Sequence, residues 1–358
     1  MKIFHCDSCD QLVYFENSKC LNCGSVLAYL PERQDLCSLE IGADGAWKVP
    51  GQEPDSYLLC TNYVNEHVCN WAVNVEDESP FCVSCRLTTK IPDLTILGNK
   101  EAWVKIERSK HRLVYSLLYL GLPVVSKSEN PETGLSFEFL ADDPENGPVL
   151  TGHDDGLITL NIAEADDAER EKRRMQLGEP YRTLLGHFRH EVGHYYWDRL
   201  IRDGGLVDSF REVFGDESQD YGEALKAHYA QGAPADWRES FISSYATSHP
   251  WEDWAETWAH YLHMSDTLET AATCGLALFP PRENEPQLWP LQSGTKQSFD
   301  QMIKSWFPLT HILNNLNRGL GLSDGYPFVI SPPVVEKLRY VHQVVHGEIT
   351  APAATAAA

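Results

Sequence analysis

Nine of the chain's ten cysteines lie within its first 85 residues, and six of those nine form pairs of the type Cys-x-x-Cys. No other feature limits the fold as strongly. Such a pair closes a tight turn with both sulfurs on one side, and two turns complete a tetrahedral thiolate site for zinc. Cys6-Asp7-Ser8-Cys9 and Cys20-Leu21-Asn22-Cys23 make one full set. It has no open position, so its role is structural. A segment this short cannot stabilise itself by burial, and bound metal supplies the folding energy. Cys60, Cys69, Cys82 and Cys85 form a second candidate set, although only Cys82-Val83-Ser84-Cys85 has the tight spacing. The competing reading makes Cys60 and Cys69 buried free thiols, which are common. Cys37 and Cys274 have no partners in the pattern and read as buried thiols. Residues 1–30 are accordingly a zinc ribbon and residues 31–97 a second cysteine-rich zinc-binding segment, with a boundary near Pro92-Asp93.

Charge excludes several function classes. The net charge is −23, and residues 1–97 hold six Lys or Arg against fourteen Asp or Glu. Nucleic acid and anionic membranes both require clustered basic residues, so the ribbons point instead to a protein partner or to a purely structural role. No apolar run is long enough to span a bilayer, and no apolar signal core precedes the first cysteines. The expected location is the cytoplasm, where thiols bind metal rather than form disulfides.

The rest of the chain, residues 98–347, reads as one α+β domain, and the Ala-rich tail 348–358 reads as disordered. Trp103, Ile106, Leu113, Leu117 and Leu120 share a face and predict a helix over 99–120, stopped by Gly121-Leu122-Pro123. Leu135, Phe137 and Phe139 alternate with polar residues, as do Ile158, Leu160 and Ile162 after a turn at Asp154-Asp155-Gly156; both read as strands. Residues 164–175 are a solvated helix or loop. Further helices are expected from Pro180 to Arg202, from Pro250 onward, and over 298–317 and 333–346.

The Pro180–Arg202 segment carries His190-Glu191-Val192-Gly193-His194. On a helix, H-E-x-x-H puts two imidazoles one turn apart on one face, both able to reach a zinc ion at about 2.0–2.1 Å. Glu191 sits beside that face as a general base. A third protein ligand is still needed. A further histidine after the motif is ruled out, because Trp197 and Leu200 occupy the relevant places. The alternative is a carboxylate in His249-Pro250-Trp251-Glu252-Asp253-Trp254-Ala255-Glu256. Glu252 and Glu256 share a helix face, with Asp253 on another. One can bind zinc while the other hydrogen-bonds a ligating histidine. His187, His249, His260 and His263 read as packing, helix-start or surface residues.

These motifs resemble the bacterial zinc-binding metallopeptidases that couple an N-terminal zinc ribbon to a gluzincin-type peptidase domain. The resemblance runs through the ribbon cysteines, Cys69-Asn70-Trp71, Phe81-Cys82-Val83-Ser84-Cys85-Arg86, the segment His190 to Asp198, Ser244-Tyr245-Ala246, the stretch His249 to His263, and Tyr326-Pro327-Phe328. It implies a zincin-like domain with a mixed sheet and an active-site helix. Catalytic zinc is then held by His190, His194 and Glu252, with Cys6, Cys9, Cys20 and Cys23 on a structural zinc and Cys60, Cys69, Cys82 and Cys85 on a second. The spacing of Tyr245, Glu252 and Glu256 is similar to that in the catalytic domain of anthrax lethal factor. This implies Glu252 as the ligand, Glu256 as the partner of a ligating histidine, and Tyr245 as donor to a developing oxyanion. By fold analogy, the strand at Ile158–Ile162 is the edge on which an extended peptide would lie. The expected function is zinc-dependent hydrolysis of a peptide or protein substrate, with Glu191 as base. The alternative is a catalytically degenerate scaffold whose ribbons bind protein, and an intact Glu191 argues against it.

Overall fold

The fold comes from a computed structural model that describes residues 1–51, 55–142, 147, 149–177, 179–292 and 297–351. The tail expected to be disordered falls, from residue 352 on, outside the described residues. Packing groups the chain into two compact units, Met1–Lys172 and Arg173–Ala358.

In the first unit, β1 (Phe4–His5) and β2 (Leu12–Val13) pair antiparallel across the Cys6–Cys9 turn. A five-stranded antiparallel sheet follows in chain order: β3 (Val26–Leu30), β4 (Asp35–Ile41), β5 (Trp47–Lys48), β6 (Tyr57–Leu59) and β7 (Ala72–Asn74). Helix α1 (Asn99–Tyr119) delivers Tyr115 into an aromatic core with Phe4, Phe15, Tyr29 and Trp71. Tyr29 and Trp71 lie 4.4 Å apart by ring centroid and Phe15 and Tyr115 5.5 Å. Each such pair contributes on the order of 1 kcal/mol beyond area burial. The same helix carries a fully buried ion pair, Lys110 with Glu107 at 2.9 Å. Glu107 Oε1 also accepts from Trp103 Nε1 (3.1 Å) and Thr88 Oγ1 (3.0 Å), which offsets its desolvation.

A second sheet contains β8 (Thr88–Lys90), β9 (Ser136–Leu140), β10 (Gly152–Asp154) and β11 (Leu157–Asn161), in the order β10-β11-β9-β8. Phe137, Phe139, Ile158 and Leu160 are all fully buried, as their alternation requires. The expectation that residues 158–162 form a sheet edge is corrected here. The turn through Gly156 folds β10 back onto β11, so β11 is paired on one side with β10 and on the other with β9.

Helix α2 (Asp167–Leu177) contains the division between Lys172 and Arg173, and the second unit is helical from there on, with α3 (Leu184–Tyr196) running on into a wide π-helical turn, Trp197–Arg202. The helix expected from Pro180 starts at Leu184 because extended Thr183 caps it, its Oγ1 accepting the N–H of Gly186 at 3.0 Å. Helices α4 (Val207–Phe214), α5 (Tyr221–Gln231), α6 (Pro250–Thr273), α7 (Phe299–Gly319) and α8 (Pro332–Val345) complete it. Helix α6 starts at Pro250 behind a histidine cap: His249 Nδ1 accepts the N–H of Trp251 at 3.1 Å.

Helices α3 and α6 pack together at the centre. Trp258 stacks on Tyr196 at 5.0 Å, and Trp254 Nε1 donates to the carbonyl of Gly193 at 2.8 Å. Gly193 permits this approach: a Cβ there would lie 3.1 Å from both Ala255 Cα and Trp258 Cδ1. Lys337 reaches from α8 to the fully buried Asp253 at 2.6 Å. Among the described residues, no helix is long and apolar enough to cross a membrane.

Candidate functional site

The α3–α6 contact brings His190, His194 and Glu252 together. Glu252 Oε2 lies 3.0 Å from His190 Nε2 and 3.6 Å from His194 Nε2, and the three ligand atoms all fall within 4.8 Å of one another. Glu252 is 1% exposed and His194 4%. Glu256, one turn along α6, takes a hydrogen bond from His190 Nδ1 at 2.7 Å. With Nδ1 committed as donor, the neutral form of His190 aims its Nε2 lone pair at the same point as Glu252 Oε2. That carboxylate oxygen is buried and takes no hydrogen bond. Electron-rich atoms converging in a buried space require a cation, and two imidazoles with one carboxylate are a donor set suited to zinc.

Without a metal the ring itself carries the balancing charge: burial alone would push the His190 imidazole down, but Glu252 and Glu256 outweigh it and raise it well above its usual range, so that a metal bound at Nε2 would displace a proton. Burial raises Glu252, yet His194 and His190 pull it well below the usual carboxylate range, so it stays anionic. Glu191 is raised, chiefly by burial and partly offset by His190 and His194. A carboxylate raised in this way is suited to taking up a proton and returning it.

Two tyrosines border the group. Tyr245 starts a short 3₁₀ turn, and its ring lies 6.0 Å from that of His190. Tyr221, the first residue of α5, donates from Oη to Glu252 Oε1 at 2.6 Å. Burial, then the charge of Glu252, pushes both phenols up, so both keep their protons. The other histidines have separate partners. His249 caps α6, His260 bonds Tyr326 Oη at 2.7 Å, and His263 packs among Tyr181, Trp306 and Tyr326.

The cysteine sets also assemble. Cys6 and Cys23 sulfurs lie 3.6 Å apart, as do those of Cys9 and Cys20. Cys60, Cys69, Cys82 and Cys85 converge with all four side chains buried, and the Cys69 and Cys82 sulfurs lie 3.8 Å apart. Backbone N–H groups of Trp71, Cys82 and Cys85 point at Cys69, Cys60 and Cys82. Burial pushes the Cys69 thiol well up, and the hydrogen bond from Cys60 does the same to Cys85; four thiolates there require a cation. His111 of α1 approaches Cys85 Sγ with Nε2 at 3.8 Å. Cys37 is buried outside both sets, whereas Cys274 is exposed rather than buried.

Sequence reading did not find Tyr221, His111 or the close approach at Gly193. Tyr221 follows Asp220, whose side chain caps α5 by accepting the N–H of Glu223, a spacing that signals the start of a helix and not the contact with Glu252.

Taken together, these features define a zinc-ribbon protein whose C-terminal part is of metallopeptidase type. Residues 99–344 match the family described as "Putative zinc-binding metallo-peptidase", residues 3–96 match a zinc-ribbon domain, and the chain belongs to that peptidase family. It is 44% identical over 346 residues to a protein of Mycobacterium tuberculosis and to one of Mycobacterium bovis, each described as uncharacterized. Each alignment covers 96% of this chain and 95% of the relative. No solved structure matches it significantly.

Proposed function

We propose that the protein is a gluzincin-type peptidase that cleaves peptide bonds of a peptide or protein substrate. The observation that carries this reading is the convergence of His190, His194 and Glu252 at one buried point beside Glu191. Those three residues would hold zinc, which when bound would supply the Lewis acidity to polarise a carbonyl and acidify water. Glu191 takes the proton from the attacking water and returns it to the leaving amine. Glu256 keeps His190 in the tautomer that offers Nε2 to the metal. The protonated phenol of Tyr245 donates to the oxyanion as it develops. The two cysteine sets hold a structural zinc each, for about three ions per chain. The ribbons serve the fold or recruit a protein partner, and the chain works in the cytoplasm.

The test is Glu191→Gln, assayed on a peptide library with metal content measured alongside. The variant should keep its metal and its fold and lose on the order of 100- to 10,000-fold in kcat. Wild-type turnover in the variant would refute the mechanism.

A further inference from the structure

Residues 195–251, between the second motif histidine and the ligand glutamate, fold as more than a connection. They include α4, α5 and two short 3₁₀ turns, and they deliver both tyrosines that border the metal group. Tyr221 is held by the residues that start the ligand helix. Its ring packs edge-on against His249 at 5.3 Å and against Trp251 at 5.7 Å. His249 caps α6 through Nδ1 and reaches back with Nε2 to the carbonyl of Gln219 at 3.2 Å, two residues before Tyr221. Trp251 lies against the His194 ring at 4.0 Å. The tyrosine, the cap, the ligand histidine and the start of α6 are therefore one packed group.

The hydroxyl makes the two oxygens of Glu252 unlike. Oε1 accepts from Tyr221 at 2.6 Å, and Oε2 is left facing His190 Nε2 and His194 Nε2. A carboxylate fixed through one oxygen can offer only the other, and it does so in one orientation. A hydrogen bond to an ionised acceptor is about twice as strong as a neutral one, and burial of Glu252 at 1% exposure strengthens it further. Removing an outer partner of a metal ligand commonly weakens metal binding 10- to 100-fold.

We infer that Tyr221 is the positioning residue that holds Glu252 to one-oxygen metal ligation, leaving Tyr245 as the phenol that faces the substrate. The inference rests on the reading of His190, His194 and Glu252 as the ligand set. The experiment uses the full chain, with Tyr221→Phe compared against wild type and Glu252→Gln. That substitution keeps the ring on His249 and Trp251 and removes only the hydroxyl. Cobalt(II) is titrated into protein whose cysteine sets retain zinc, so that weak visible bands without sulfur charge transfer report the histidine–glutamate group. Tyr221→Phe should bind cobalt on the order of 10–100-fold more weakly, with altered band intensities, a lower kcat and an unchanged KM. Wild-type affinity and spectrum in Tyr221→Phe would overturn the assignment, whether or not kcat falls, because a fall in kcat alone would place the hydroxyl on the substrate. If Glu252→Gln also binds cobalt as wild type does, it is the ligand set itself that fails, an outcome distinct from failure of the Tyr221 assignment alone.

Discussion

The tightest constraint on the proposed metal site is a missing side chain. Gly193 lies inside the H-E-x-x-H turn, and a Cβ there would sit 3.1 Å from Ala255 Cα, 3.1 Å from Trp258 Cδ1 and 3.3 Å from Trp258 Cβ. Ordinary contact begins at 3.4 Å, and the first of these neighbours is backbone that cannot rotate away. Gly193→Ala therefore forces α3 and α6 apart by about 0.3 Å if the strain is shared along the contact. Alanine in a helix interior is about 1 kcal/mol better than glycine, while overpacking typically costs about 1–3 kcal/mol. The net stability change is a loss of roughly 0–2 kcal/mol. The metal responds more sharply. His190 and His194 lie on one helix and Glu252 on the other, and zinc ligand distances tolerate only about 0.2 Å. The variant should fold and lose about tenfold or more of its zinc affinity. Denaturant unfolding of protein whose cysteine sets retain zinc while the histidine–glutamate site is empty, together with competition against a chelating dye, separates the two terms. A variant stabilised by about 1 kcal/mol with unchanged zinc affinity would show that helix propensity governs and that close approach does not shape the site.

Two further outcomes follow from the same geometry. Metal analysis should find about three zinc ions per chain, with Cys6→Ser losing one; in loaded protein the exposed Cys274 should react with a thiol reagent while Cys37, pushed by burial to about 12, resists, and one ion or none would refute the assignment. Burial lowers the His260 imidazole to about 4, so between about 6.5 and 4 the unfolded chain binds a proton that the folded chain does not. Stability should therefore drain as pH falls through that window, by up to about 3 kcal/mol, and His260→Gln should flatten the slope in pH-dependent denaturation; an unaltered slope would refute it.

The parts of this molecule that are legible in its sequence depend on short spacings. Two cysteines three positions apart, or a histidine and a second one four along, meet because local backbone geometry makes them meet. Glu252 and Glu256 have the same property: their spacing puts both on one helix face, and which of the two is the ligand is what the family resemblance implies. Helices α1, α6, α7 and α8 were readable for the same reason, since their apolar faces repeat within the element. What could not be read depends on pairings between elements remote in sequence. The alternation in β11 marks a strand but not its place in a sheet; the edge position rested on fold analogy, and the order of the sheet shows the strand paired on both sides. Tyr221 lies 31 residues before Glu252, and nothing in its own segment announces the contact. Gly193 looks like a weak point in a helix until α6 is placed against it. The motif identifies which atoms can bind a metal. The close approach of α3 and α6 at Gly193, with the Trp254 indole bonded across it, brings those atoms together, and Tyr221 holds one oxygen of Glu252 from α5.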